Sequence, residues 1–160
     1  MKTLLGALLC GAVLAWGVGP FASAADAPDP VVGTWVLNLA KSKFTPGPAP
    51  KSQTRSYTQD ADGISLTVSG VAADGSGISQ ESTFKYDGKA YVFSGSADFD
   101  ALVLKRVNGS TVKATLMKAG KHVGETTRTI AAHGKVLTLS TKGTDAKGVH
   151  YESLSVFDKQ

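Results

Sequence analysis

The chain has 160 residues, of which 42% are hydrophobic and 19% charged, and its formal net charge is +4 at pH 7. The lysines are scattered along the chain rather than gathered into a run, which argues against nucleic-acid binding. The single cysteine, Cys10, lies in the N-terminal leader. We therefore expect a mature chain without disulfides, stabilised by its core and its sheet alone.

The first 24 residues have the three regions of a secretory signal peptide. Met1 and Lys2 form the positive start, an apolar run follows from 4 to 18, and small residues at 22 to 24 form a cleavage site after Ala24. The apolar run is too short to span a membrane. We expect a bacterial protein that is periplasmic or secreted and not stably inserted in a membrane. Lipid attachment at Cys10 is a minor alternative, because leucine rather than a small residue precedes it.

Residues 25 to 30, with the sequence ADAPDP, predict a mobile linker between the leader and one domain at 31 to 160. The domain begins with VVGTWVLNLA, in which Gly33, Trp35 and Leu37 share one face of a strand. This stretch resembles the first strand of the lipocalins and fatty-acid-binding proteins, the calycins, which carries a Gly-x-Trp motif. The resemblance implies that Gly33 and Trp35 close one end of a β-barrel.

A proline cluster at 46 to 50 follows this strand and predicts extended, polyproline-like structure. In the fatty-acid-binding proteins this position carries a helix-turn-helix lid, whereas lipocalins have a long open loop. The segment shows no helical period, so the resemblance is nearer to the lipocalins here.

Turn dipeptides then recur at regular intervals, which is typical of an up-and-down antiparallel meander. They are Asp62-Gly63, Asp74-Gly75, Asp87-Gly88, Gly95-Ser96, Asn108-Gly109, Ala119-Gly120, His133-Gly134 and Lys147-Gly148. The alternating segments predict strands at 32–39, 52–60, 63–71, 77–86, 89–94, 100–107, 110–118, 121–131, 135–143 and 149–158. Closure would remove the exposed edges of such a meander. The sequence therefore predicts an all-β fold, a single antiparallel barrel of eight to ten strands, with a flattened two-sheet sandwich as the alternative.

Common catalytic and cofactor motifs are missing from the sequence. It contains neither a nucleophile elbow nor a zinc-protease, Walker or dinucleotide-binding motif. The three histidines lie at or beside predicted turns, where a solvated imidazole is the ordinary role. We accordingly assign no catalytic residue, no metal and no cofactor.

Several polar residues share a strand face with apolar ones, which is typical of a wet cavity rather than a packed core. Arg106 follows Leu102 and Leu104 by twos, and Arg128 precedes Ile130 by two. The candidate ligand-binding residues chosen in this way are Arg106, Arg128, Tyr57, Arg55, Gln80 and Tyr91. The fatty-acid-binding resemblance implies inward arginines and a tyrosine that bind a carboxylate, although the family's arginine-x-tyrosine signature is missing from the last strand. The alternative to ligand binding is stacking on Trp35 for Arg128, and exposure to solvent at a strand end for Arg106.

These observations predict an exported, monomeric, non-catalytic binding protein. Its partner would be a small apolar or amphipathic molecule, with anionic molecules included, held inside the barrel. One alternative is an enzyme of the isomerase or lyase type on the same barrel. Another is a filled barrel that acts as an interaction or stress module.

Overall fold

The computed structural model describes residues 28–131 and 133–160. The predicted leader, its cleavage site and Cys10 lie outside the described residues. The described strands are β1 Gly33–Leu37, β2 Lys43–Thr45, β3 Ser52–Asp60, β4 Gly63–Val71, β5 Gly77–Phe84, β6 Asp87–Val92, β7 Ala101–Arg106, β8 Thr111–Lys118, β9 Lys121–Ile130, β10 Val136–Thr144 and β11 His150–Lys159. A single 3-10 turn, Leu39–Lys41, lies between β1 and β2.

The strands form one antiparallel sheet that curls into a nearly closed barrel. Ten of them follow the order β5-β4-β3-β1-β11-β10-β9-β8-β7-β6, so β1 is inserted between β3 and the last strand. At the seam, the backbone N–H of Glu81 donates to Ser94 at 3.2 Å and that of Ser94 donates back at 2.9 Å. The predicted all-β, up-and-down barrel is thereby confirmed, and the two-sheet sandwich is not what forms.

The short strand β2 was not predicted from the sequence. It pairs with β11 beyond the point where β1 leaves that strand, with Phe44 opposite Ser153. Between the two, the hydroxyl of Ser42 donates to the carbonyl of Asn38 at 2.7 Å and accepts the N–H of Val156 at 2.9 Å. Three residues are too few to show an alternating pattern, which is why the sequence predicted only extended structure nearby.

The end of the barrel that carries the first strand is tightly packed. Trp35, Leu137 and Phe157 are fully buried there, and the indole N–H of Trp35 donates to the carbonyl of Val31 at 2.7 Å. The ammonium group of Lys159 lies 5.0 Å from the centre of the Trp35 ring and covers it. Large apolar side chains and the cation–π contact of Lys159 therefore exclude water from this end.

The described part of the predicted linker, residues 28 to 30, is anchored to the same end at Asp29, contrary to the expectation of a mobile segment. Asp29 is 7% exposed, its N–H donates to the Gln59 side chain at 2.8 Å, and its carboxylate accepts the N–H of Val31 at 2.9 Å. The prediction of mobility is wrong at Asp29, because the polar linker brings a carboxylate to buried positive charge.

No helix within residues 28–131 and 133–160 is both long and apolar enough to cross a membrane.

Candidate functional site

The barrel encloses a cavity of about 670 Å³. Its volume lies in the range of small-molecule sites, about 300 to 1,000 Å³. The cavity opens at the end opposite Trp35, between the proline cluster at 46 to 50, the β6–β7 loop and the β10–β11 loop. The sheet thus surrounds a space that a small molecule could occupy.

Two loops are tied together at the mouth of the cavity. The carboxylate of Asp98, in the β6–β7 loop, accepts the N–H of Ala146, in the β10–β11 loop, at 3.1 Å. Tyr151 lies beside them, and burial together with the charges of Asp98 and Asp145 raises the pKa of its phenol. The phenol therefore stays neutral at physiological pH and offers the mouth a hydroxyl rather than a charge.

One wall of the cavity is apolar. It is built from β4, β5, β7 and β8 and from Phe93, which follows β6. Its lining side chains are Leu66, Ile78, Phe84, Phe93, Leu102, Leu104, Val112, Ala114 and Leu116. The alternation of β7 and β8 places them in facing pairs, with Leu102 opposite Leu116 and Leu104 opposite Ala114. Gln80 is the polar exception on this wall.

The facing wall is polar. It is built from β3, β9, β10 and β11, and its polar lining side chains are Gln53, Arg55, Thr126, Arg128, Thr141, Ser153 and Ser155, with Tyr151 and Glu152 nearer the mouth. Thr126 and Thr141 are direct cross-strand partners whose hydroxyl oxygens lie 2.7 Å apart. Tyr57 and Leu139 also belong to this side of the cavity. The ligand space therefore has hydrogen-bonding groups on one side and hydrocarbon on the other.

Arg128 lies where the polar wall meets the closed end. Its side chain is 7% exposed, and one terminal nitrogen donates to the Tyr86 hydroxyl at 2.6 Å and lies 4.0 Å from a carboxylate oxygen of Asp29. Arg106 binds the other oxygen of that carboxylate. Among the described residues, Nε of Arg128 has no hydrogen-bond partner although it is buried. A buried guanidinium donor without an acceptor is uncommon and costs free energy.

The charges of this cluster shift two pKa values. Burial by itself raises the pKa of Asp29, but the hydrogen bonds from Val31 and Arg106 and the charge of Arg128 outweigh it, so the pKa falls below its usual 3.8. Burial raises the pKa of Tyr86, and the neighbouring Arg128 offsets this only in part. At neutral pH the cluster therefore holds an ionised Asp29 and a neutral phenol between two arginines.

Four of the six predicted ligand-binding residues line the cavity: Arg128, Arg55, Tyr57 and Gln80. The other two lie outside it. Arg106 covers the ring of Tyr86 at 4.2 Å, and the hydroxyl of Tyr91 donates to Asp87 at 2.9 Å.

The alternative role for Arg128, stacking on Trp35, is wrong. The guanidinium carbon of Arg128 instead lies 5.6 Å and 5.4 Å from the ring centres of Tyr57 and Tyr86. The cation over Trp35 is Lys159. Arg128 therefore combines a packing role among tyrosines with a place in the cavity wall.

Sequence reasoning missed part of the polar wall and the anchor of the cluster. Thr126 precedes Arg128 by two and Thr141 follows Leu139 by two, so strand alternation could have placed both inside the barrel. Asp29 carried no comparable signal, because an aspartate between prolines ordinarily indicates a turn or linker.

Within the described part of the chain, no group of three or more histidine, cysteine, aspartate or glutamate side chains is arranged to hold a metal ion. A scan against protein-family models and a search of the curated proteins give no match to this chain.

Proposed function

We propose that this protein is a non-catalytic binding protein that holds a small apolar or amphipathic molecule inside its barrel, in the manner of lipocalins and fatty-acid-binding proteins. The observation that carries the proposal is the cavity of about 670 Å³ with the buried Arg128 in its wall. A barrel that served only as a packed interaction module would fill this space with side chains, because protein interiors are close-packed.

The charge balance near the closed end supports a ligand with an acidic group. Arg55 and Arg128 line the cavity, Arg106 lies behind it, and the buried carboxylate of Asp29 offsets one of these three positive charges. A guanidinium stays charged when desolvated and offers planar, paired donors to a carboxylate.

The leader supports the further proposal that the protein works after export, in the periplasm or outside the cell, as a carrier or sensor. We propose that it does so as a monomer, because the sheet of a single chain curls around the cavity and its two edges meet at Glu81 and Ser94.

Native mass spectrometry of the protein purified from the cells that make it tests this function. We expect a native mass above that of the polypeptide, and we expect extraction with organic solvent to remove the excess and release a small amphipathic molecule. The extracted protein should then bind at least one probe from a panel of palmitate, hexadecanol and cholate. A native mass equal to that of the polypeptide, together with no binding of any of the three probes, would overturn the proposal.

A further inference from the structure

With Gln80 and Leu139 as exceptions, the polar and apolar lining residues are separated by strand and not by depth in the barrel. Because the sheet order is β5-β4-β3-β1-β11-β10-β9-β8-β7-β6, the polar wall from β3 across to β9 is one continuous arc. The apolar wall from β8 round to β4 is the other. The cavity is therefore divided along its length into two facing sides.

This division sets a requirement on the ligand. An alkyl chain along the barrel axis would face the hydroxyl groups of Thr126, Thr141 and Ser155 on one side without offering them a hydrogen bond. Polar groups that are desolvated without a new partner weaken binding. A ligand with hydroxyl groups along one face and hydrocarbon along the other would match both walls at once.

We infer that the cavity selects a rigid, facially amphipathic molecule: a fused-ring acid with hydroxyl groups on one face, a bare hydrocarbon opposite face, and its acidic group at Arg128. This inference rests on the proposed function and names the class of ligand for the same site. Rigidity follows from the geometry, because both walls are fixed by strand pairing and a flexible ligand would lose more conformational entropy in meeting them.

The Thr126 and Thr141 hydroxyls are the best-defined part of the polar wall. They lie opposite each other on β9 and β10, and their 2.7 Å contact links one donor to one acceptor. Each hydroxyl keeps further hydrogen-bonding capacity after that contact, because a hydroxyl can donate once and accept twice. The remaining capacity is available to a ligand hydroxyl.

Calorimetric binding of three probes to the delipidated protein, each below its micelle concentration, tests the inference. The probes are cholate, its hydroxyl-free analogue cholanic acid, and palmitate. We expect cholate to bind about tenfold more tightly than cholanic acid or more, as the gain of one or two hydrogen bonds implies. The sign of this difference in affinity is diagnostic. Cholanic acid has more apolar surface to bury, so a purely apolar cavity would bind it more tightly than cholate.

A double substitution tests whether the polar wall is responsible for the preference for cholate over cholanic acid. Thr126→Val with Thr141→Val removes both hydroxyls and keeps the side-chain shape, and we expect it to weaken cholate binding about tenfold while cholanic acid changes less than about twofold. The matched control is Ser65→Ala with Thr83→Val, which removes a cross-strand hydroxyl pair 3.0 Å apart on the exposed outer face of β4 and β5. The control should leave both affinities unchanged.

The outcomes separate this inference from the function on which it rests. If palmitate or cholanic acid binds as tightly as cholate, the selection for a hydroxylated face is wrong and the binding function stands. If the double variant binds cholate like the parent chain, the polar wall is not the selecting element and the inference is overturned. If none of the three probes binds, the inference is overturned, whereas the proposed function fails only if the native mass also equals that of the polypeptide and hexadecanol does not bind either.

Discussion

The carboxylate of Asp29 binds the guanidinium of Arg106, joining the segment before β1 to the end of β7 across 77 positions of the chain. The same carboxylate lies 4.0 Å from Arg128, which lines the cavity. One residue of the N-terminal segment therefore provides the counter-charge for two arginines at the closed end of the barrel. It links the anchoring of that segment to the electrostatics of the binding site.

We predict that Asp29→Asn lowers the free energy of unfolding by on the order of 2 kcal/mol at pH 6, because it removes the charge that compensates a buried guanidinium. The pKa of folded Asp29 lies below 3.8. The stabilisation is therefore fully present above that pH and is lost as pH falls through the folded-state pKa. Urea unfolding from pH 6 into acid should show parent and variant converging below about pH 3.8.

Asp62→Asn, in an exposed turn, is the control and should differ from the parent by less than about 0.5 kcal/mol. A difference for Asp29→Asn that does not change with pH would contradict the ionic explanation.

Arg128→Gln should weaken the binding of an anionic amphiphile by about tenfold or more, since a charge-assisted hydrogen bond to the ligand is lost. Tyr86→Phe is the matched variant, because it removes the hydrogen-bond partner of Arg128 without altering a cavity-lining residue. We expect both variants to melt at similar, slightly lower temperatures and only Arg128→Gln to lose affinity. Equal affinity of the two variants for the anionic amphiphile would show that Arg128 contributes to packing and not to ligand binding.

Ala114→Phe should abolish binding by filling the cavity. Ala114 lines the cavity in the middle of β8, opposite Leu104 and Thr126, so a ring at this position enters the empty space. We expect the melting temperature to stay within a few degrees of the parent, because core overpacking costs energy only where no space exists. Ala90→Phe, at an exposed position of β6, is the control for adding a ring to a strand. Full retention of ligand by Ala114→Phe would place the binding site outside the barrel.

Trp35→Ala should destabilise the fold by about 3 to 5 kcal/mol, as truncation of a large buried aromatic does. Trp35 is fully buried and its indole N–H is bound to Val31. In a chain that begins at Ala25 it is the only tryptophan, so intrinsic fluorescence reports this site alone. We expect blue-shifted emission in the folded state. Emission like that of tryptophan in water would contradict the burial.

The strands were predictable because their signal is local. Alternation with period two fixes which residues share a face, and glycine-containing turns mark where each strand ends. The predicted segments 52–60 and 63–71 coincide with β3 and β4 of the structure. The same alternation placed Arg55, Gln80 and Arg128 on inward faces, and all three line the cavity.

The sequence by itself predicted the fold class, the bounds of several strands and the inward faces of Arg55, Gln80 and Arg128, since all of these depend on neighbours along the chain. Arg106 and Tyr91, chosen in the same way, lie outside the cavity. Only the tertiary structure decided the order in which the meander closes, with β1 between β3 and β11 and the seam at Glu81 and Ser94. That order gathers the polar residues of β3, β9, β10 and β11 into one wall, and it brings Asp29 to Arg106. The alternation of side chains along a strand does not predict such relations, because the energy of an ion pair or a cavity wall depends on distances between residues far apart in sequence.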